Sequence, residues 1–267
     1  MNICILGSGN VATHLAQTLD EVGEHVVAIY SKQIAHAAQL AKCMKDGALA
    51  TDTLTSLPKA DAYIFALKDN ALSEVVDAMK QLHVGEEALW IHTAGSMPLS
   101  VFDGVKYSAV MYPMQTFSKV RPIHFKEVPL FVEANNIESS YKIGALASKL
   151  SDHVTWLDSE KRKYLHLSAV FANNFANHCQ TLAFKLLESH GIDARTLLPL
   201  IDETARKLHD MHPLQAQTGP AVRWDENVIH NQEKLLDDLP DLQQVYMLLT
   251  QSIHQCQEEK SLAHDQL

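Results

Sequence analysis

Asn2-Ile3-Cys4-Ile5-Leu6-Gly7-Ser8-Gly9-Asn10-Val11-Ala12 sets an apolar run, a glycine turn and the start of an amphipathic stretch in direct succession. The run from Asn2 to Leu6 reads as a buried strand, and Asn10 to Glu21 carries apolar side chains at helical period. The turn between them has the spacing G-x-G-x-x-G/A, with alanine in the third place. Each small residue has a mechanical task. Gly7 permits the sharp turn off the strand, Gly9 places no Cβ in the path of a pyrophosphate, and Ala12 lets the helix pack closely on the sheet. Unpaired amides at the positive end of the helix dipole then hold the anion, so Gly7, Ser8, Gly9, Asn10 and Val11 are the expected phosphate-binding residues.

Working outward, the alternation of short β-branched runs with helical stretches continues for about the first 157 residues. Strands are predicted at Asn2 to Leu6, His25 to Tyr30, Ala48 to Thr51, Ala62 to Leu67, Ala88 to His92, Ser108 to Tyr112 and Leu130 to Glu133, with an edge strand at His153 to Leu157. Helices are predicted at Asn10 to Glu21, Gln33 to Met44, Asn70 to Gln81 and Ile137 to Leu150. This is the pattern of an α/β, doubly wound, mainly parallel sheet of the Rossmann type. From Ser159 on, no strand pattern remains. One helix is expected from Ser159 to about His190, stopped by Gly191, and others at Ala194 to His209 with Pro199 as a kink, Glu226 to Leu236 and Asp241 to Glu259. The expected organisation is a dinucleotide-binding domain over 1–157 and an all-α domain over 158–267.

Composition narrows the function classes. Hydrophobic residues make up 46% of the 267 and charged residues 20%, the mix of a globular protein rather than a disordered one. A formal net charge of -10 opposes a polyphosphate backbone, which argues against nucleic acid as a partner. Neither a signal peptide nor a run of 18 apolar residues is present, so a soluble cytoplasmic protein without a membrane partner is expected. The four cysteines form no Cys-x-x-Cys pair, and the fifteen histidines contain no metal-ligand set, His209 with His212 being the nearest approach. No metal is expected.

Cofactor choice depends on the end of the second strand, where an Asp or Glu would bind a ribose 2′-hydroxyl. Tyr30-Ser31-Lys32 stands there instead. No carboxylate of this stretch repels a 2′-phosphate, Ser31 offers a hydrogen bond and Lys32 a charge, so NADP(H) is the expected cofactor rather than NAD(H). Strand ends further along complete the cofactor surface: Ala66, Leu67 and Lys68, then Thr93, Ala94 and Gly95, whose small side chains let a flat ring approach. Lys68 reads equally well as a solvated loop lysine.

On a regular helix, His166, Val170, Asn173, Asn177 and Gln180 share one face, between flanks apolar enough to bury the helix. That polar stripe lines either a pocket or an internal hydrogen-bond network. In the first case His166 exchanges a proton near neutral pH and Asn173 orients the reacting group, which makes these two the catalytic candidates. Substrate contacts are expected from His92, Ser96, Met114, Gln115 and Asn177, and from Thr218, Gly219 and Arg223 in the Gly-Pro turn of the helical half. Arg223 either clamps a carboxylate or pairs with Asp225.

The order of Gly7-Ser8-Gly9-Asn10-Val11-Ala12-Thr13-His14-Leu15, His92-Thr93-Ala94-Gly95, Tyr112-Pro113-Met114-Gln115-Thr116-Phe117, Ala169-Val170-Phe171-Ala172-Asn173-Asn174-Phe175 and Gln217-Thr218-Gly219-Pro220-Ala221 resembles a family of two-domain Rossmann-like proteins. Its members are described as NADP-dependent oxidoreductases, with a helical C-terminal domain of unknown function, and the resemblance spans essentially the whole chain. More distantly, the layout is similar to pyrroline-5-carboxylate reductases, β-hydroxyacid dehydrogenases and prephenate dehydrogenases, which place the active site between a Rossmann domain and a helical dimerisation domain. The β-hydroxyacid enzymes carry a lysine one helical turn before an asparagine on the first long interdomain helix. Ala169, Val170 and Asn173 stand four residues before Asn173, Asn174 and Asn177 here, so that lysine is absent.

Two functions follow as expectations. One is an NADP(H)-dependent reductase or dehydrogenase acting on a small polar, anionic metabolite in a cleft between the domains. The other is a non-catalytic NADP(H)-sensing module. A homodimer through the helical domain is expected in either case, because about 110 residues of helix with strongly apolar faces make a modest core alone.

Overall fold

The computed structural model of the protein describes residues 1–264, so the last three residues of the expected helical domain lie outside the described residues. The chain divides into two compact units, Met1–Phe175 and Ala176–Leu267.

One eight-stranded sheet organises the first unit: β1 (Asn2–Leu6), β2 (His25–Tyr30), β3 (Leu49–Thr51), β4 (Ala62–Phe65), β5 (Leu89–His92), β6 (Tyr107–Pro113), β7 (Leu130–Ala134) and β8 (Val154–Trp156). Their order is β3-β2-β1-β4-β5-β6-β7-β8. Every neighbouring pair is parallel except β6 with β7. Crossovers run through α1 (Asn10–Glu21), α2 (Ile34–Ala41) and α3 (Asp69–Gln81), and α4 (Ile137–Leu150) joins β7 to β8. The expected doubly wound, mainly parallel Rossmann-type architecture is what the chain adopts. Chain order reverses between β1 and β4, the switch point at which such sheets open a ligand crevice. Because β1, β2, β4, β5 and β6 point the same way, the turns that leave them share one edge.

Burial on both faces explains the uninterrupted apolar runs of the central strands. Along β1, Ile3 and Ile5 face a layer built with Leu15 and Leu19 of α1 and Ile143 and Leu146 of α4. Cys4 and Leu6 face the opposite layer, which holds Val76 and Met79 of α3. That second layer centres on three fully buried rings. Phe65 lies 5.3 Å from both Trp90 and Phe102, and Trp90 meets Phe102 edge-on at 5.9 Å. The indole nitrogen of Trp90 donates to Gly85 O at 2.8 Å, so its one polar atom is satisfied.

The helical stretch after Asp158 departs from expectation in three ways. The single helix from Ser159 to His190 is instead α5 (Ser159–Ala169), a π-helical segment Val170–Phe175, and α6 (Ala176–Ser189). A π turn bonds i to i+5, so the uniform 100° spacing that grouped His166 with Asn177 and Gln180 breaks inside the segment. Expected burial is also not met within one chain: Leu167, Phe171 and Phe175 are 53%, 63% and 50% exposed. Finally, Pro199 does not kink a helix. It sits in the first turn of α7 (Leu198–Asp210), where a missing N–H costs nothing, after a 3-10 turn over Ala194–Leu197. The rest of the second unit is a four-residue helix α8 (Pro213–Ala216), then α9 (Glu226–Lys234) and α10 (Pro240–His264).

Removing the indole leaves a cavity between two rings, while Gly85 O keeps its bond from Ala88 N. We therefore predict that Trp90→Ala lowers unfolding free energy by about 3–5 kcal/mol, read as a lower urea midpoint at unchanged slope.

Candidate active site

Backbone contacts fix the start of the turn after β1. Gly7 has φ +128°, and a Cβ there would lie 2.2 Å from Ala66 O at the end of β4. Gly7 N donates to Tyr30 O and Ala66 N to Leu6 O, at 2.8 and 2.9 Å, so the ends of β1, β2 and β4 are stitched together at the switch point. Gly9 is different. It caps α1 with ordinary extended backbone, no side chain caps the helix, and a Cβ built on it meets nothing within 4 Å. Asn136 caps α4 and Asp158 caps α5 through their side chains, whereas α2 and α3, like α1, have no side-chain cap; α1 alone of these three starts at a glycine. Open space beside uncapped amides is what a pyrophosphate requires, and the residues present fit a dinucleotide.

The neighbouring strand ends supply the remaining expected cofactor groups. Ser8 Oγ donates to Ser31 Oγ at 3.1 Å, and Tyr30 is buried. Lys32 is exposed, and its ammonium donates to Glu74 of α3 at 2.8 Å. The rim expected to be free of acid is therefore not so: the carboxylate arrives from α3, 42 residues away in sequence, and any 2′-phosphate competes with it for Lys32. Asn10 Nδ2 donates to Phe117 O at 2.8 Å, and His14 one turn on meets Ser118 O at 2.9 Å, which ties the segment after β6 to α1. Lys68 is exposed beside Asp69, whose carboxylate accepts from Ser96 Oγ at 2.5 Å.

The loop after β5 carries the closest packing of the site. A Cβ on Gly95 would lie 2.7 Å from His166 Nδ1 and 2.8 Å from the Tyr112 ring, so only glycine lets both rings meet this backbone. Tyr112 of β6 and His166 of α5 are hydrogen-bonded, Oη to Nδ1, at 3.1 Å, with their rings edge-on. Burial pushes the Tyr112 phenol up, which keeps it protonated. Nothing local to Tyr112 in the sequence announces it as the partner of His166, 54 residues on. A groove of about 500 Å³ opens beside this pair, lined among others by Gln115, Met114, Ser168, Asn173 and Asn174. Of the catalytic and substrate candidates in the first unit, His166, Asn173, Met114 and Gln115 are brought together here.

His92 is not. It is fully enclosed, 5.4 Å from the Phe102 ring, and its Nδ1 accepts from Ala94 N at 3.3 Å. Burial first, and the Arg162 charge second, push its imidazole down to about 3, so it is neutral and shapes the loop rather than touching a solute. Asn177, Thr218, Gly219 and Arg223 belong to the second unit. There Gly219 has φ +108°, Thr218 O accepts from Gln217 Nε2, and Arg223 is 69% exposed with Asp225 at 3.8 Å. A cavity of about 950 Å³ lined by Glu24, Asp61, Tyr63 and Lys149 lies where strands begin, on the edge opposite the crevice.

Residues 2–87 match a family model described as NADP oxidoreductase, coenzyme F420-dependent, and residues 128–253 match a domain of unknown function, DUF2520. A Bacteroides fragilis protein, provisionally described as an NADP oxidoreductase, is 46% identical over 95% of this chain and 98% of that one, with a TM-score of 0.90. The chain belongs to this two-domain oxidoreductase family. Likeness of fold extends to a reductive aminase from Aspergillus terreus in complex with NADPH and ethyl-5-oxohexanoate, at 14% identity, 98% and 94% coverage and TM-score 0.62. It extends also to a pyrroline-5-carboxylate reductase from Coxiella burnetii, at 16% identity, 97% coverage of each chain and TM-score 0.57. No curated protein matches the sequence. The family resemblance read from the motifs is thereby borne out, as is the more distant one to the pyrroline-5-carboxylate reductases.

The two glycines separate folding from binding. Gly7→Ala is expected to destabilise the protein by more than about 1 kcal/mol through strain and collision with Ala66. Gly9→Ala is expected to melt like the wild type yet bind NADPH at least about tenfold more weakly, a loss of roughly 1.4 kcal/mol. Thermal melts and fluorescence titration check both.

Proposed function

We propose that the protein is an NADP(H)-dependent reductase or dehydrogenase that transfers a hydride to or from a small polar, anionic metabolite. The observation that carries this reading is the hydrogen-bonded Tyr112–His166 pair seated on Gly95, in the same unit as the uncapped amides beside Gly9. Gly7, Ser8, Gly9, Asn10 and Val11 hold the diphosphate, Ser31 and Lys32 the 2′-phosphate, and Thr93, Ala94 and Gly95 border the ring. When bound, the nicotinamide would supply a hydride to a C=O or C=N carbon, or take one from the carbon of the corresponding alcohol or amine.

The chain's own residues manage the proton. With Tyr112 donating to Nδ1, the proton of a neutral His166 resides on Nε2; it passes to the substrate heteroatom as the Tyr112 proton moves to Nδ1, and in the oxidising direction both shifts run backwards. Tyr112 fixes the tautomer and the ring's orientation, as a hydrogen-bonded partner does for a catalytic histidine. Asn173 and Gln115 add neutral hydrogen-bonding groups along the groove. Arg223 carries an exposed guanidinium whose nearest carboxylate is 3.8 Å away, which leaves it free to exchange that partner for a substrate carboxylate.

The same reading includes a homodimer through the helical unit. Among the described residues of that unit, only Ala194, Ala221, Ile229, Leu236 and Thr250 are buried, whereas Leu200, Leu208, Leu235 and Leu248 are 65%, 53%, 79% and 68% exposed. Helices with so little core need a second surface. A reducing cytoplasm suits Cys4, buried with its thiol pushed up to about 12, and the free Cys43, Cys179 and Cys256. No helix among the described residues is long and apolar enough to cross a membrane.

His166→Ala is expected to cut NADPH oxidation by about 100-fold or more, on whichever keto acid, aldehyde or cyclic imine the wild type turns over, with NADPH affinity little changed. Equal turnover by the variant removes the proposed role. Sedimentation equilibrium should give twice the 29.7 kDa chain mass, and a monomer at micromolar concentration contradicts the dimer.

A further inference from the structure

We propose that Arg162 is the positioning residue of the site: its buried guanidinium docks α5 so that His166, one turn further on, meets Tyr112 and Gly95. This rests on the proposed proton role of His166.

Arg162 is fully buried, and it is the only buried residue of α5. The helix that carries His166 is therefore not seated on the first unit by a buried apolar side chain, the usual adhesive of an amphipathic helix. A buried charge is tolerated only when paired and hydrogen-bonded, and here the pairing reaches three elements at once. One terminal nitrogen donates to Glu133 Oε2 of β7 at 2.5 Å; the other donates to Met97 O at 2.8 Å and Ser159 Oγ at 3.0 Å. Ser159 Oγ in turn donates to Glu133 Oε2 at 2.7 Å and accepts from Leu99 N at 2.9 Å, which uses its full hydrogen-bonding capacity.

The fork thus fastens the first turns of α5 to β7 and to the same loop that, two residues before Met97, presents Gly95. Residues four apart share a helix face, so the position of Arg162 sets that of His166. The tolerance is small, because the space of a single methyl group on Gly95 is already filled by His166 and Tyr112. A planar fork with several fixed donors suits this task, and a lysine ammonium does not reproduce it.

The test compares wild type with Arg162→Lys, Arg162→Met and the double variant Arg162→Met/Glu133→Gln, which leaves no unpaired carboxylate if the single change unfolds the protein. The decisive readout is the nitrogen NMR spectrum of His166, in which an Nδ1 that accepts from Tyr112 and an Nε2 that bears the proton give separate signals. The double variant is expected to melt cooperatively and bind NADPH within about twofold of wild type, a difference below roughly 0.5 kcal/mol, yet to lose that tautomer signature. Where a substrate is turned over, its kcat falls about 100-fold with KM for NADPH unchanged, and Arg162→Lys recovers part of it. A folded double variant that keeps the His166 signature overturns the proposal, as does one that keeps full kcat. If wild type turns over no substrate, the redox reading fails, and the NMR signature alone still decides the role of Arg162.

Discussion

A helix start with no side chain to cap it, facing open space, is the constraint from which the rest follows. The amides of the first turn of α1 have no intrahelical acceptors, and the chain places Gly9 there, so their partner must come from outside the protein. Holding that turn open falls to Gly7, whose positive φ and contact with Ala66 O lock the ends of β1 and β4 together at the point where strand order reverses. The parallel run of six strands, β1 to β6, then delivers the side chains that read the rest of a dinucleotide to the same edge. A sheet buried on both faces, with its aromatic trio beneath β4 and β5, gives that edge a rigid base.

Against this rigid base the reacting groups are held by a different kind of force. Tyr112 stands on β6 and is positioned by the sheet, whereas His166 stands on a helix whose single buried side chain is an arginine. Hydrogen bonds are directional where apolar contacts are not, so a polar dock specifies both rotation and height of the helix. The π-helical segment that follows, Val170–Phe175, contains Asn173 and Asn174 and brings both to the groove, a common setting for such segments.

Much of this was legible beforehand, for reasons that differ element by element. The strands and α1, α3 and α4 were located to within a residue or two because burial on both faces writes itself as apolar runs, and amphipathic helices as a period. The phosphate turn was legible because its spacing is mechanical. What escaped was whatever depends on tertiary approach. Glu74 meets Lys32 across 42 residues, and Glu133 meets Arg162 across 29, with nothing local to announce either pair. His92 looked like a crevice residue by position, but the rings of the second core layer close over it. The π segment was invisible to a uniform 100° wheel. Pro199 carries the same signal for a kink and for a first turn, and only the preceding 3-10 turn distinguishes them.

The grip of the α1 amides and of the Ser31–Lys32 rim on a phosphorylated dinucleotide is most directly tested by calorimetric titration of the folded wild-type protein with NADPH and, separately, NADH. The account predicts saturable binding of NADPH, about tenfold or more tighter than NADH, the worth of one charge-assisted contact. Absence of heat with either coenzyme at millimolar concentration, or tighter binding of NADH, contradicts it.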